Sequence, residues 1–551
     1  MVLEGLMQND YPLTVKHVLD RVRRFGADSE IVTLKGPDDL RRARYPDVAA
    51  RADKLASGLS KLGIGEGDRV GTFMWNNQEH FEAYLAIPSM GAVLNTVNIR
   101  LFPEQITYII NHAKDRVLLV DESLVPVLGK LAPELESVEH FVVVGEGDTG
   151  DLPNVTRYEE LLADGDDSFD YPVLDERAAA GLCYTSGTTG NPKGALYSHR
   201  STILHAFGHN SPDALGLRFS DRVLPIVPMF HVNAWGIPFG AGLTGASLVM
   251  PDRFLQGEPI ARLIETEKVT CSAGVPTVWM QVLQYLDDNE VDTSSIRVVV
   301  CGGAAVPQGL MQGLEERHGI DMVQGWGMTE TSPVCAVARP PAGVESGSDE
   351  MWSYRTSAGR LLPFVEARLI ADDGSELEWD GKSTGELEVR GPWIARDYYE
   401  DPSSPEKFHD GWLRTGDICS IDEGGYVRIS DRSKDVIKSG GEWISSVELE
   451  QALIAHDAVL EVAVIARPDE KWSERPLACV VVCEGAELTP EALREHLASC
   501  VSKWWIPETF AFIDEVPKTS VGKFDKKVLR QRLKDGELEQ VTASDKEPAQ
   551  T

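Results

Sequence analysis

The sequence predicts an α/β protein with a large N-terminal domain, made of α/β subdomains plus a β-rich subdomain, and a small α+β C-terminal domain. Residues 1–180 alternate between helical apolar spacing and short apolar runs, and this alternation favours largely parallel sheets. Residues 381–430 are glycine-rich with strand patterns, after which compact strand and helix patterns restart. A chain of 551 residues can bury substantial cores without disulfides or a structural metal.

Apolar spacing predicts the elements of the N-terminal domain in order. Residues 45–62 have the spacing of a helix, and residues 69–74 follow a glycine-rich turn as a strand. Short apolar runs predict further strands at residues 117–121, 298–303 and 322–325. Helices that connect such strands would cover the faces of a largely parallel sheet, as in other α/β proteins.

The C-terminal domain is predicted from a change of texture at residues 431–435. Beyond it, strand and helix patterns cover residues 446–456, 459–465, 477–482 and 490–499. We therefore place the large domain at residues 1–430 and the small domain at residues 436–541. Residues 542–551 are polar and are expected to form a disordered tail.

Residues 223–250 contain no aspartate, glutamate, lysine or arginine, a length that could suggest a membrane span. Three prolines and four glycines interrupt the stretch too often for one long helix. We therefore expect buried strands and turns around a pocket, and no transmembrane segment. The N-terminus lacks a basic-then-apolar pattern, which predicts no signal peptide.

The charge balance is strongly acidic: 53 lysines and arginines against 87 aspartates and glutamates give a net charge of −34. This charge disfavours nucleic acid as a partner, and any anionic substrate needs a local basic site. The eight cysteines form no Cys-x-x-Cys pair and lie among apolar neighbours, which indicates reduced thiols in a cytoplasmic protein.

The densest polar motif is residues 184–194 (YTSGTTGNPKG). Its glycines would let backbone N–H groups approach a phosphate, its hydroxyls would add donors, and Lys193 would add positive charge. A Walker loop would place Gly-Lys-Ser/Thr where Pro192-Lys193-Gly194 stands, so this is another kind of loop. The motif predicts phosphate binding, with a polar surface turn as the alternative.

Five motifs follow one another along the chain: residues 184–194, 324–333 (QGWGMTETSP), 414–417 (RTGD), 431–435 (DRSKD) and 517–523 (PKTSVGK). Together they resemble the signatures of the adenylate-forming (AMP-binding) superfamily, which includes acyl-CoA synthetases, luciferases and peptide-synthetase adenylation domains. Residues 229–235 and 438–446 are closest to the local patterns of fatty acyl-CoA synthetases. The resemblance spans nearly the whole chain and implies a ligase that joins a carboxylic acid to coenzyme A.

The resemblance implies a two-step reaction. The substrate carboxylate attacks the α-phosphorus of ATP to give an acyl-adenylate and pyrophosphate, and the thiol of coenzyme A then displaces AMP. Lys523 would neutralise the charge that develops in the first step, and Thr329 would contact the α-phosphate. Glu330 would bind Mg²⁺. A solvated lysine is the alternative for Lys523, and a helix N-cap acid is the alternative for Glu330.

The resemblance also implies which residues hold ATP. The phosphate-binding set is Thr185, Ser186, Gly187, Thr188, Thr189, Gly190 and Lys193. The adenine-binding set is Gly302, Gly303, Ala304, Gly325, Trp326, Gly327 and Met328. Asp417 and Arg432 would contact the ribose. A core tryptophan is the alternative for Trp326, and a surface ion pair is the alternative for Asp417 with Arg432.

The coenzyme A side is implied by residues at and after the predicted hinge, residues 431–435. Lys434 resembles the pivot about which the small, mobile C-terminal domain rotates between the two steps. The residues implied to pass the pantetheine chain are Lys438, Gly440, Gly441 and Trp443. The alternative for the glycine pair is an ordinary turn.

The acid would bind beside the uncharged stretch. Trp235 is a candidate gate to an acyl tunnel, His231 would lie near the substrate carboxylate, and Val232 and Gly274 would line the walls. Core packing is the alternative for Trp235 and His231. Because no buried counter-charge is visible there, we expect a medium- to long-chain or related apolar acid.

Two other functions use the same motifs. A luciferase-like oxidoreductase would share the loop, the hinge and the terminal lysine, although the match at residues 438–446 favours the ligase. A non-catalytic nucleotide sensor is disfavoured by the joint presence of Lys523, Glu330 and Asp417. The resemblance also implies a homodimer.

Overall fold

A computed structural model describes residues 3, 5–8, 10–185, 191–440, 442–469, 471–483, 485–518 and 524–542. The chain divides into two compact units. The larger unit contains the described residues up to 185, Asn191–Glu366 and Val389–Leu413, and the smaller contains Ala367–Glu388 and the described residues from Arg414 onward.

The α-helices of the described residues follow in chain order. They are α1 (Lys16–Phe25), α2 (Tyr45–Lys61), α3 (Gln78–Ser89), α4 (Pro103–Ala113), α5 (Val125–Leu131), α6 (Tyr158–Asp164), α7 (His199–His209), α8 (Ile237–Thr244), α9 (Gly257–Thr266), α10 (Pro276–Asp288), α11 (Gln308–His318), α12 (Asp349–Arg355), α13 (Ser404–Lys407), α14 (Ser446–Ile454), α15 (Pro490–Ala498) and α16 (Lys526–Lys534). Every one of them is too short or too polar to span a bilayer.

The β-strands of the same residues also follow in chain order. The first half comprises β1 (Glu30–Gly36), β2 (Asp39–Arg44), β3 (Arg69–Phe73), β4 (Val93–Thr96), β5 (Asp115–Asp121), β6 (His140–Val144), β7 (Val155–Arg157), β8 (Ala179–Tyr184), β9 (Gly194–Ser198), β10 (Arg222–Pro225), β11 (Ser247–Met250), β12 (Cys271–Gly274), β13 (Val298–Gly302) and β14 (Met322–Gly327). The second half comprises β15 (Val334–Val337), β16 (Gly359–Leu361), β17 (Glu366–Ile370), β18 (Glu376–Leu377), β19 (Gly385–Arg390), β20 (Phe408–His409), β21 (Trp412–Ile421), β22 (Tyr426–Arg432), β23 (Ile437–Ser439), β24 (Glu442–Ile444), β25 (Val459–Asp469), β26 (Ser473–Val482), β27 (Thr509–Phe512) and β28 (Val541–Thr542).

The larger unit contains two mainly parallel sheets. In one the strand order is β7-β6-β5-β3-β4-β8-β9, and in the other it runs β16-β15-β14-β13-β12-β10-β11-β1-β2. Parallel strands buried on both faces are nearly continuous apolar runs, as the Val-Val-Val-Cys of β13 illustrates. Helices α9, α10 and α11 bury Ile264, Trp279 and Leu314 in a core with Val299 of β13.

The smaller unit contains two further groups of strands. One has the order β18-β17-β19-β21-β22, and the other has the order β24-β23-β26-β27-β28 with β25 paired to β26. Leu449 of α14 and Leu493 of α15 pack in one core with Phe510 of β27. Leu529 of α16 packs in a second core with Ile465 and Cys479. This packing of helices on a mixed sheet is the α+β arrangement that the sequence predicts.

The predicted elements of the large domain are confirmed. The helix expected at residues 45–62 is α2, and the strand expected at 69–74 is β3. The apolar runs expected at 117–121, 298–303 and 322–325 are β5, β13 and β14. The alternation of helical and strand spacing therefore identified these elements correctly.

The uncharged stretch at residues 223–250 differs in one respect from the prediction of strands and turns. It includes the end of β10, a turn at Val232–Gly236 and β11, but also the helix α8. Pro238 lies in the first turn of α8, where a missing N–H leaves no hydrogen bond unmade. A proline that argues against one long helix is therefore compatible with a short one.

The predicted boundaries fall within the smaller unit or near its end. Residues 431–435 lie inside the smaller unit and not between the two units. Their role as a hinge stays a prediction. Thr542 pairs with Thr509 in β28, and residues 543–551 of the predicted tail lie outside the described residues.

Candidate active site

Three neighbouring strands of the second sheet end in predicted site residues. Gly274 at the end of β12 is paired with Cys301, and Gly302 at the end of β13 is paired with Gly325 of β14. Ligands of open α/β sheets bind outside the carboxyl ends of the strands. The structure therefore brings Gly274, Gly302 and Gly325 to the sheet edge at which a ligand is expected.

Close backbone approach explains the glycine at position 302. A Cβ atom there would lie 2.5 Å from the carbonyl oxygen of Gly325 and 3.4 Å from Cη2 of Trp235. Beyond it, Gly303 and Ala304 are exposed. A Cβ atom at position 302 would therefore displace the backbone of β14, and it would already be in van der Waals contact with the Trp235 ring.

The β14 end presents the remaining residues of the predicted adenine set. Trp326, Gly327 and Met328 are half-buried, so Trp326 does not have the full burial of a core tryptophan. The N–H of Met328 donates to Oγ1 of Thr331 at 2.9 Å, which starts the tight turn after the strand. A flat aromatic side chain is thus left partly accessible at this edge.

The phosphate motif closes the hairpin of β8 and β9. The Thr185 N–H donates to the Lys193 carbonyl at 2.9 Å, and the Lys193 N–H donates to Oγ1 of Thr185 at 3.1 Å. Both ends of the loop are therefore fixed to each other. The other predicted loop residues, Ser186, Gly187, Thr188, Thr189 and Gly190, lie outside the described residues, as do Gly441 and Lys523.

The Lys193 ammonium contacts a later segment of the same unit. It donates to Oγ of Ser403, lies 3.6 Å from Oδ2 of Asp401 and lies 5.0 Å from the ring centroid of Tyr398. Burial opposes ionisation of Asp401, but hydrogen bonds from Ser403 and the charge of Lys193 lower the pKa of Asp401 overall. The cation therefore points along a defined direction rather than freely into solvent.

Thr329 and Glu330 are buried in a short turn that three contacts hold. The Tyr197 hydroxyl donates to the Thr329 carbonyl at 2.6 Å, and the Ala395 N–H donates to the Glu330 carbonyl at 2.7 Å. The Tyr398 hydroxyl donates to Oε1 of Glu330. Burial and the charge of Glu330 raise the pKa of Tyr398, so its hydroxyl remains a proton donor.

Tyr398 therefore contacts both halves of the predicted triphosphate site. Its ring lies under the Lys193 ammonium, and its hydroxyl binds the Glu330 carboxylate. Sequence reasoning missed Tyr398, Asp401 and Ser403. The surrounding residues 396–404 (RDYYEDPSS) have the composition of an ordinary surface turn, and nothing in them indicates contact with a loop two hundred residues earlier.

The described residues contain no cluster of three histidine, cysteine, aspartate or glutamate side chains that could hold a metal ion alone. Mg²⁺ is commonly bound through one or two carboxylates together with substrate phosphates and water. Glu330 offers such a carboxylate next to the phosphate motif, so the donor set fits Mg²⁺ delivered with a nucleotide.

In the smaller unit, the predicted ribose residues form an ion pair. Asp417 of β21 and Arg432 of β22 are cross-strand partners, and Nε of Arg432 donates to Oδ1 of Asp417 at 2.9 Å. The Asp417 side chain is buried, whereas Arg432 is exposed. The pair therefore joins an exposed guanidinium to a buried carboxylate, and its role in ribose binding stays a prediction.

The predicted hinge is anchored at both of its acidic ends. Oδ2 of Asp431 accepts from the Ser446 N–H at the start of α14 at 2.5 Å, and Asp435 pairs with Arg530 of α16. Lys434 lies between them and is exposed. Residues 431–435 thus join β22 to two helices of the same unit.

Of the predicted pantetheine residues, Lys438, Gly440 and Trp443 lie on the β23–β24 hairpin. Lys438 and Trp443 are cross-strand partners, and the Lys438 ammonium lies 5.2 Å from the Trp443 ring centroid. The Gly440 N–H donates to the Trp472 carbonyl at 2.8 Å, and Trp472 stacks edge-on against Trp504 at 4.6 Å. Sequence reasoning missed these two tryptophans, which lie far from the motif along the chain.

Three of the predicted acid-binding residues, His231, Val232 and Trp235, lie in or next to a left-handed turn, Val232–Gly236. Trp235 is half-buried with its ring against the Gly302 position, and His231, also half-buried, directly precedes the turn. Val232 is buried. The structure therefore brings Trp235 to the sheet edge that carries Gly302.

Family profiles match both parts of the chain. A profile described as AMP-binding enzyme matches residues 19–399, and one described as AMP-binding enzyme C-terminal domain matches residues 448–523.

Individual relatives match nearly the full length. The 3-methylmercaptopropionyl-CoA ligase of Ruegeria lacuscaerulensis is 42% identical over 95% of this chain and 98% of its own. The long-chain-fatty-acid–CoA ligase of Thermus thermophilus is 44% identical over 97% of this chain and 99% of its own. The crystal structure of the anthranilate CoA ligase AuaEII with anthranoyl-AMP has a TM-score of 0.84 at 28% identity, covering 97% of this chain and 100% of that one.

Proposed function

The chain belongs to the AMP-binding enzyme family, and on that premise we propose that it is an ATP-dependent acid–CoA ligase that works through an acyl-adenylate. The relatives at 42% and 44% identity are both acid–CoA ligases. A luciferase-like oxidoreductase is not favoured, since these full-length relatives are ligases. The observation that carries the proposal is Tyr398, which joins the phosphate-loop cation Lys193 to the buried acid Glu330.

The ATP-binding residues are proposed from the two units separately. In the larger unit, Lys193 and Thr185 would contact the β- and γ-phosphates, and Thr329 would contact the α-phosphate. The slot beside Gly302 and Trp326 would take the adenine. In the smaller unit, the Asp417 carboxylate would accept hydrogen bonds from the ribose hydroxyls with Arg432 beside it.

Glu330 would hold Mg²⁺ together with the phosphates, and the ion would neutralise phosphate charge when bound. Tyr398 fixes the orientation of that carboxylate by donating to Oε1. Oriented carboxylates bind metals more tightly than freely rotating ones, because less conformational freedom is lost on binding.

In the first step, Lys523 would neutralise the charge shared by the attacking carboxylate and the α-phosphate. For the second step, the hinge at residues 431–435 would present Lys438, Gly440, Gly441 and Trp443 to the pantetheine chain. His231 would contact the substrate carboxylate in the first step. These roles come from the family motifs.

The acid is proposed to be a medium- to long-chain or related apolar acid. The stretch of residues 223–250 supplies no charged group, and Val232, Trp235 and Gly274 are apolar. One of the two ligase relatives is named for a long-chain fatty acid and the other for 3-methylmercaptopropionate. Apart from the carboxylate, neither acid carries a charge.

The test is AMP formation by the purified protein with ATP, Mg²⁺ and coenzyme A. Butanoate, octanoate, dodecanoate, hexadecanoate and 3-(methylthio)propanoate form the acid panel, with succinate as a charged control. We expect AMP release that needs both an acid and coenzyme A, is strongest with an apolar acid and consumes no oxygen. Absence of AMP with every acid would contradict the proposal, and oxygen consumption would revive the oxidoreductase alternative.

A cytoplasmic location and a homodimer complete the proposal. All eight cysteines are free thiols and six of them are buried, which suits a reducing compartment. Light scattering of the purified protein tests the dimer, and a mass of one chain would contradict it.

A further inference from the structure

The turn Val232–Gly236 has an unusual backbone. Val232, Asn233, Ala234 and Trp235 have φ of 47°, 50°, 46° and 58°, and Gly236 follows with φ of 75°. The left-handed region is unfavourable for side-chain-bearing residues, most of all for a β-branched valine. Such a run persists only where its surroundings fix it, and strain of this kind is concentrated at functional sites.

The side chain of Asn233 connects the turn to three elements of the larger unit. Its Oδ1 lies 3.2 Å from the Tyr84 hydroxyl of α3, 3.4 Å from Oγ1 of Thr96 in β4 and 3.3 Å from Sγ of Cys183 in β8. Asn233 is only 6% exposed. Because Thr96 and Cys183 are paired in register on adjacent strands, these donors form a rigid base.

Two buried histidines of α7 support the other end of the turn. A Cβ atom at Gly236 would lie 2.8 Å from Nδ1 of His205, and Nε2 of His209 lies 3.2 Å from the Gly236 carbonyl oxygen. Nε2 of His205 accepts from the N–H of Val334, the first residue of β15, at 3.1 Å. The turn is thus fixed at both ends, and Trp235 lies between the two supports.

We propose that Asn233 is a positioning residue that holds this left-handed turn, keeps the Trp235 indole against Gly302 and thereby sets which acids the enzyme accepts. The acid-selectivity part rests on the proposed ligase function. The competing explanation is that asparagine is present only because it tolerates positive φ better than other residues do.

Glycine separates the two explanations, because it adopts positive φ more easily than asparagine but has no side chain to anchor. If backbone tolerance is all that matters, Asn233→Gly retains the wild-type acid preference. If the anchor matters, Asn233→Gly and Asn233→Ala are both impaired. We expect both variants to fold, because each of the three donors keeps another partner. Oγ1 of Thr96 lies 3.2 Å from Sγ of Cys183, and the Tyr84 hydroxyl donates to the Met229 carbonyl at 2.5 Å.

Ala234→Gly is the matched control. Ala234 is the next residue, shares the left-handed backbone and is fully buried, but its methyl group anchors nothing through a hydrogen bond. We expect it to leave the acid profile unchanged. For Asn233→Gly and Asn233→Ala we expect KM for the preferred acid to rise about tenfold, as for one lost buried polar anchor, with KM for ATP changed less than about twofold.

The experiment measures AMP formation across the acid panel for the three variants, together with amide hydrogen exchange at Ile237, whose N–H bonds to the Ala234 carbonyl. Faster Ile237 exchange and a flattened acid profile in both Asn233 variants, but not in Ala234→Gly, support the proposal. A wild-type acid profile or wild-type exchange in Asn233→Gly overturns it. If the wild-type protein activates no acid, the proposed function fails while the exchange comparison still decides whether Asn233 holds the turn.

Discussion

Lys193 is a cation proposed to bind phosphate, and Glu330 is an acid proposed to bind Mg²⁺. Tyr398 contacts both side chains. The Tyr398 ring faces the ammonium and its hydroxyl faces the carboxylate, so the two groups are oriented without neutralising each other directly. A preorganised cation and an oriented acid are what phosphate transfer chemistry requires, because positioning and charge stabilisation supply most of its rate enhancement. Two substitutions test this arrangement residue by residue.

Lys193→Ala removes the cation of the phosphate loop. We expect kcat/KM for ATP to fall about 10- to 100-fold, because a charge-assisted contact to phosphate is lost. Lys114→Ala is the control, since Lys114 forms an exposed ion pair with Glu400 at 3.1 Å and such pairs contribute little. Steady-state kinetics in ATP measure both, and equal losses in the two variants would contradict the assignment.

Tyr398→Phe keeps the ring beneath Lys193 but removes the hydroxyl that donates to Glu330. We expect about tenfold more Mg²⁺ to be needed for half-maximal pyrophosphate release, the usual size of an effect on a partner of a metal ligand. The neighbouring Tyr399→Phe is the control, because Tyr399 is half-buried and outside this contact set. A Mg²⁺ titration unchanged by Tyr398→Phe would show that Glu330 needs no such support.

At the scale of elements, strand ends and hairpins carry the candidate site. β12 and β13 end in glycines, β14 runs into Gly325-Trp-Gly, and the hairpin of β8 and β9 displays the phosphate motif. In the smaller unit, β22 continues into residues 431–435, whose acidic ends are fixed to α14 and α16. If these residues are a hinge, the exposed Lys434 between the anchors is the position at which backbone rotation is needed.

Lys434→Pro tests this element, since proline fixes φ near −65° and removes an N–H. We expect thioester formation from supplied acyl-adenylate to fall more than about tenfold, while adenylation, measured as pyrophosphate release, changes less. Lys434→Ala keeps backbone rotation and is expected to perform both half-reactions. A Lys434→Pro protein with an undiminished second step would contradict the pivot role.

At the scale of the whole molecule, the enzyme must attract anionic substrates despite a net charge of −34. Two cations of the candidate site have defined partners: Lys193 donates to Ser403, and Arg432 pairs with Asp417. The large unit also buries uncharged histidines in its core. Burial lowers the pKa of His80 to about 4, and its ring contacts the Trp75 carbonyl and the Thr72 hydroxyl, both at 2.9 Å.

His80 makes the free energy of unfolding depend on pH. Between pH 6.5 and 4 the unfolded chain binds a proton at this histidine and the folded chain does not, so the contribution is present above pH 6.5 and is lost as the pH falls. His80→Gln removes that titration. We expect the slope of unfolding free energy against pH in this range to become shallower by about 1 kcal/mol per pH unit, measured by urea denaturation. Parallel slopes for the two proteins would contradict the explanation.

The sequence by itself determined the elements and the chemistry of the motifs. Periodic apolar spacing is a local property, so α2, β3, β5, β13 and β14 could be located from residues adjacent in the chain. The motif residues could be selected because phosphate and Mg²⁺ chemistry restricts which side chains serve. The same reasoning expected only strands and turns at residues 223–250 and missed α8. The prolines argue against helix, but a proline in the first turn of a helix is compatible with it, and composition does not distinguish the two positions.

Only the tertiary structure decided which distant residues support the motifs. Tyr398 lies under Lys193, and Asn233 reaches Thr96 and Cys183, because folding joins segments that are far apart in the chain. The left-handed run at Val232–Gly236 is set by these contacts and opposed by local preference, so no local pattern could have predicted it. Local forces specify elements and motif chemistry, whereas the position of a side chain in a site depends on packing between elements.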